Sequence, residues 1–232
     1  MNQPFCSAIL LAAGKGTRMG TDVKKQFLLL EGKEIVAYTV DAFEGCTLIS
    51  EIVLVCSKDG KEQIEKMRQR YGWTKVSAVL EGGAERQDSV TCGLRAVATR
   101  SEVVLIHDGV RPFVDNAMIE KSIAVAMESG ACVVGMPAKD TIKVCDGDGF
   151  VLHTPKRSGV WHAQTPQTFR KEVLMQAFEK ANEDGFLGTD DASLVEYIGG
   201  RVRMIEGSYR NIKITTKEDL DLAATFLKGE IE

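Results

Sequence analysis

Short apolar runs alternate along this chain with longer stretches of helical periodicity. SAILLAA (7–13), EIVLVC (51–56), KVSAVLE (75–81), EVVLIH (102–107) and ACVVGM (131–136) are rich in β-branched residues and read as buried strands. Between them, IVAYTVDAFEGC (35–46), GKEQIEKMRQRYG (60–72), ERQDSVTCGLRAVA (85–98) and NAMIEKSIAVAMESG (116–130) repeat apolar residues every three to four positions. Several of these end at glycine, the residue that most readily takes the left-handed conformation closing a helix. Strands apolar on both sides, joined by helices, predict an α/β fold: a mostly parallel sheet with helices on both faces.

The alternation breaks after Pro137. Within residues 138–159 the tetrapeptide DGDG separates IKV from FVLH, a hairpin signal that predicts a protruding arm. Helices resume at 170–185 and 191–200, the second with Asp190 or Asp191 as its N-cap. Two strands, RVRMIEG and NIKIT, and a helix over 217–228 follow. No repeat or low-complexity linker interrupts residues 1–232, so the expectation is one domain carrying an arm.

Bulk composition narrows the function classes. A net charge of −4 speaks against general nucleic-acid binding, and places any important cations locally at a site. The six cysteines are scattered without a C-x-x-C pair, and several lie inside apolar runs, as reduced structural thiols do. No segment approaches the roughly 18 consecutive apolar residues of a membrane span. The expected setting is therefore cytoplasmic, without membrane or nucleic-acid partners.

In an open parallel sheet, ligands bind beyond the carboxyl ends of the strands, so residues just after strands are the candidates. The loop LLAAGKGTRMG (10–20) has Gly14 and Gly16, whose backbone N–H groups could approach phosphate oxygens, followed by Arg18, Lys24 and Lys25. It matches neither a P-loop nor a dinucleotide fingerprint, and its accumulation of cations suits a triphosphate. By itself it reads equally well as a turn beside a solvated face. Asp108, at the tip of VVLIHD, is placed to hold Mg²⁺ between phosphates, or simply to cap a turn with Arg111 as its partner. His107 reads as a strand-end hydrogen-bonding residue. Thr141, Lys143, Arg157, Thr165 and Lys213 together could hold a phosphorylated second substrate, although each alone reads as surface. Neither a nucleophile elbow nor a histidine–cysteine zinc spacing is present.

LLAAGKGTRMG with KKQF, then GGAERQDSV, IHDGVRPF, KDTIK, WHAQTPQTF, GTDDAS and NIKIT, closely resembles the 2-C-methyl-D-erythritol 4-phosphate cytidylyltransferase family. The likeness runs from about Ser7 to the final helix. It implies a Rossmann-like nucleotidyltransferase sheet, CTP and methylerythritol phosphate as substrates, pyrophosphate release, and Mg²⁺ as cofactor. It further implies that Arg18 and Lys25 stabilise the α-phosphate and the leaving pyrophosphate, and that Asp108 binds metal. Ala12, Ala13, Gly14, Gly16, Gly83, Ala84 and Ser89 fall where the family recognises the nucleoside. Arg111, Thr141, Arg157, Thr165 and Lys213 match its acceptor-phosphate positions, with Asp108 facing the same substrate. The arm at about 138–159 would cross a homodimer interface, carrying Thr141 and Arg157 to the partner's site. Ribitol 5-phosphate cytidylyltransferase, and a catalytically silent nucleotidyltransferase-like subunit, are the competing readings.

Overall fold

The computed structural model describes residues 3–14 and 24–229. Its strands are β1 Cys6–Ala12, β2 Leu29–Leu30, β3 Lys33–Glu34, β4 Ile49–Cys56, β5 Val76–Glu81, β6 Val103–Asp108, β7 Ala131–Pro137, β8 Val144–Cys145, β9 Val151–His153, β10 Trp161–Arg170 and β11 Arg203–Glu206. Its helices are α1 Ile35–Gly45, α2 Lys61–Tyr71, α3 Arg86–Ala96, α4 Asn116–Ser129, α5 Lys171–Asp184, α6 Asp191–Tyr197 and α7 Lys217–Lys228.

Among the described residues, seven strands form the main sheet in the order β11-β7-β10-β6-β1-β4-β5. All neighbours pair in parallel except β10, which is antiparallel to both β6 and β7. Alternation along the strands divides the core into two layers. Ala8, Leu10, Ile52, Leu54, Val103 and Leu105 face α1, α2 and α4 through Val40, Phe43, Met67 and Ile119. Ile9, Val53, Val55, Val104, Ile106 and Phe169 face α3, α5 and α6 through Val90, Leu94, Leu174, Phe178 and Leu194. The expected α/β architecture is the one observed.

Three local differences matter. WHAQTPQTFR, to which the periodicity assigns no strand, forms β10 in the middle of the sheet. Its pairing with β7 shifts register between Ala163 and Gln167, around Pro166, which has no N–H to give to a ladder. Its Gln164, Thr165, Gln167 and Thr168 are buried polar residues, which hid the strand from a hydrophobicity count. NIKIT is not a strand. It runs across the end of the sheet, where Ile214 N–H bonds the Val110 carbonyl at 2.9 Å. Leu29–Leu30 and Lys33–Glu34 form a small hairpin with no period long enough to signal it, and α7 packs on it through Ala223.

The arm is the expected hairpin. Asp146 Oδ1 accepts N–H bonds from Asp148 and Phe150 at 3.1 and 2.9 Å, and Gly149 takes a positive φ of 86° to close the turn. Phe150, Val151 and Leu152 are all exposed.

Candidate active site

The carboxyl ends of β1, β5 and β6 open onto a cavity of about 430 Å³. Ala12, Ala13 and Gly14 line it from the end of β1, Gly83, Ala84 and Ser89 from the β5–α3 junction, and Asp108 from the tip of β6. Lys25 and Lys213 reach it from the turn before β2 and from the segment before α7.

Each wall has a local cause. Gln26 is buried and its Nε2 donates to the Ala12 carbonyl at 2.7 Å, which ties the short 3₁₀ turn Lys25–Phe27 to the end of β1. That turn divides the two adjacent lysines. Lys24 points outward to Ser57 at 2.8 Å and to Asp59, whereas Lys25 lines the cavity. On the opposite wall, glycine is required by close packing. A Cβ on Gly82 would lie 2.6 Å from Ser89 Oγ and 3.0 Å from Ala13 Cβ, and one on Gly83 would lie 2.2 Å from Asp88 Cβ. Ser89 Oγ accepts the Gly83 N–H and donates to the Glu85 carbonyl, both at 3.2 Å, fixing that loop.

Asp108 is the electrostatic centre. Its Oδ2 is 3.0 Å from Lys213 Nζ and 3.4 Å from Arg111 Nε. Burial alone would raise its pKa, but Lys213, then Arg111, then Arg86 outweigh burial and hold the carboxyl well below the usual range. Beneath it, Thr165 Oγ1 accepts the Asp108 backbone N–H at 3.1 Å, which leaves its own proton for His107 Nδ1 at 3.0 Å. His107 Nε2–H must then donate to the Arg111 carbonyl, 3.2 Å away. Burial pushes His107 down to about 4, so it sits there as a neutral imidazole. Asn211 completes the support. Its Nδ2 donates to the Thr165 carbonyl at 2.9 Å, and its backbone carbonyl accepts from Arg111 Nη1 at 2.7 Å.

Lys25, Asp108, Lys213, Ala12, Ala13, Gly14, Gly83, Ala84 and Ser89 thus meet around one cavity. Arg111 and Thr165 lie immediately behind Asp108 and contact it. Thr141 and Arg157 do not line the cavity: both are exposed near the arm, with Arg157 Nη1 on the Lys139 carbonyl at 3.0 Å. Gly16 and Arg18 lie outside the described residues. Arg86 is a cavity residue that the motifs do not single out. It lines the same cavity and forms a bidentate pair with Asp191 at 2.8 and 2.7 Å. Its position in GGAERQDS, a strand-end loop, was the available signal. Asp190, not Asp191, is the N-cap of α6, its Oδ1 accepting the Ser193 N–H at 2.9 Å.

No group of three or more His, Cys, Asp or Glu side chains is placed to hold a metal among the described residues. Mg²⁺ does not require one, because it keeps several waters and binds through one or two carboxylates plus substrate phosphates. Among the described residues Asp108 and Glu85 are the carboxylates lining the cavity, and an ionised Asp108 suits an ion held mainly by substrate phosphates. No described helix is long and apolar enough to cross a membrane.

A cavity at a parallel sheet's carboxyl edge, walled by close-packed glycines and bordered by Lys25, Lys213 and Arg86, defines a nucleotide-handling α/β protein. The family model described as IspD, 2-C-methyl-D-erythritol 4-phosphate cytidylyltransferase, matches residues 6–229, and the chain belongs to that family. It is 48% identical over 227 residues to the protein of that name from Alkaliphilus oremlandii, covering 97% of this chain and 96% of that one. Its identity to the Geotalea uraniireducens protein is 49% over 226 residues, covering 96% and 97%. Among solved structures it is similar to 4-diphosphocytidyl-2C-methyl-D-erythritol synthase from Anaerococcus prevotii, with a TM-score of 0.86, 34% identity, and 98% and 100% coverage. The sheet is accordingly a Rossmann-like nucleotidyltransferase sheet.

Proposed function

We infer that the chain transfers CMP from CTP to 2-C-methyl-D-erythritol 4-phosphate, forming 4-diphosphocytidyl-2-C-methyl-D-erythritol and pyrophosphate. Full-length membership of the family supports the reaction. The observation that carries its chemistry is the convergence of Lys25, Lys213 and an ionised Asp108 on one cavity.

A phosphate monoester is already a nucleophile near neutral pH. The site therefore has to align two anions that repel each other and stabilise charge in the transition state, and it needs no general base. The glycine-walled side, with Ala12 to Gly14 on one loop and Gly83, Ala84 and Ser89 on the other, receives the nucleoside through backbone groups. Lys25 meets the phosphates, together with Arg18. Lys213 and Arg111, held by Asp108 and Asn211, receive the acceptor phosphate, and Thr165 orders Asp108 from below. Asp108 would hold Mg²⁺, which supplies charge neutralisation on the triphosphate when bound.

Exposed Phe150, Val151 and Leu152 at the arm tip, with Thr141 and Arg157 at its base, support a homodimer in which those two polar residues complete the partner's site. Scattered free cysteines support a cytoplasmic setting. A panel of acceptors with CTP and Mg²⁺, monitored for pyrophosphate, tests the reaction. Release with methylerythritol phosphate is expected. Preference for ribitol phosphate, or no release with any acceptor, overturns it.

A further inference from the structure

Arg86 is a cation at the cavity to which the reaction above assigns no role. It opens α3 directly after the close-packed loop 82–85, and its side chain is one-third exposed, whereas that of its partner Asp191 is 1% exposed. The carboxylate is thus sealed in the protein while the guanidinium stands at the cavity wall. Two of its five N–H donors bond Asp191, and Asp191 is its sole hydrogen-bonding partner among the described residues. Three donors remain.

The pair is not needed as a staple. Gln87 already joins α3 to the segment between α5 and α6 twice, its Nε2 donating to the Phe186 carbonyl and its Oε1 accepting the Gly188 N–H, both at 3.1 Å. A buried ion pair is also a poor source of stability, because desolvation offsets most of its attraction. Asp191 itself is held in place, since Gln167 bonds Asp190 at 2.7 Å and the Ala192 N–H at 3.0 Å. The result is a guanidinium oriented rigidly from the β5–α3 side, while Lys213 enters from the segment before α7.

We propose that Arg86 is a further substrate-positioning residue, locked by Asp191 so that its remaining donors grip the phosphate chain of the nucleotide. This rests on the nucleotide reading of the cavity. A fixed planar fork suits phosphate oxygens in a way a mobile lysine does not.

The test uses the full chain with Arg86→Gln, Arg86→Lys and the double variant Arg86→Gln/Asp191→Asn, which leaves no unpaired buried charge. CTP affinity, and the inhibition constants of pyrophosphate and of cytidine, are measured beside thermal stability. Arg86→Gln should weaken CTP and pyrophosphate about tenfold or more and leave cytidine within about twofold, the loss expected for a charged hydrogen bond. Arg86→Lys should recover only part of this, and the double variant should keep the defect at near wild-type melting temperature. Equal weakening of cytidine and pyrophosphate, unchanged CTP affinity, or recovery of CTP binding in the double variant overturns the proposal. If the wild type itself binds no CTP, the nucleotide reading falls first, which separates the two failures.

Discussion

Lys24 and Lys25 are neighbours with the same chemistry, yet one pairs with Asp59 and the other lines the cavity. The Gln26–Ala12 hydrogen bond orients the turn that separates them, and this is a tertiary contact. Lys25→Ala should lower kcat about a hundredfold, the cost of one preorganised charge at a transition state. Steady-state kinetics with CTP and acceptor both saturating would check it. Lys213→Ala should instead act mainly through a raised KM for the acceptor phosphate, read from an acceptor titration at saturating CTP. His107 gives a pH signature. Its folded pKa of about 4 lies below the ordinary 6.5, so the unfolded chain binds the extra proton between those values. Stability from neutral His107 is therefore complete above about pH 6.5 and falls as pH drops towards 4, by at most about 3 kcal/mol. Melting temperatures from pH 7 to 4 should show a shallower decline for His107→Asn than for the wild type. Parallel curves would mean that other groups control the acid limb.

At the scale of elements, the two glycine contacts and β10 are the informative cases. Gly82→Ala would push a methyl against Ser89 and Ala13, separating the β5–α3 junction from the end of β1. CTP affinity should fall by about tenfold or more with a smaller effect on melting temperature, because the strain is confined to two loops. Phe169 shows the opposite balance. It is fully buried in the layer under α5, away from the cavity. Phe169→Ala should destabilise the fold by about 3–5 kcal/mol in denaturant unfolding, with near-normal kcat for the folded fraction. Strands β1, β4, β5, β6 and β7 were legible because both of their faces are apolar. β10 was not, because Gln164, Thr165, Gln167 and Thr168 are buried polar side chains whose partners lie far away in sequence. NIKIT misled for the converse reason: Ile212 and Ile214 alternate as in a strand, but they pack into the small cluster around Leu30 and Val110 beyond the sheet's end.

For the whole molecule, the arm is the surface on which assembly would be built. A second copy covering Phe150, Val151 and Leu152 would explain why apolar side chains stand in solvent on a projecting hairpin. Light scattering should give twice the chain mass for the wild type, and Leu152→Asp should shift the protein towards monomer with loss of turnover. If Arg157 serves the partner's site, mixing inactive Lys25→Ala with inactive Arg157→Ala should restore up to about a quarter of wild-type activity, since one site in each mixed dimer is intact. No recovery after subunit exchange would assign Arg157 to its own subunit's site or to none.

The sequence by itself determined the α/β class, the two-sided core, the hairpin arm and the strand ends where a ligand would meet the chain. These are carried by local periodicity and turn chemistry, which act over a few residues. The motif set also carried the family. Tertiary structure alone decided which of two adjacent lysines lines the cavity, that His107 and Thr165 order Asp108 from beneath, and that Arg86 meets Asp191 across 105 positions. Each of those depends on burial and hydrogen-bond partners distant in the chain, and a linear pattern of polar residues does not say which polar group will find which.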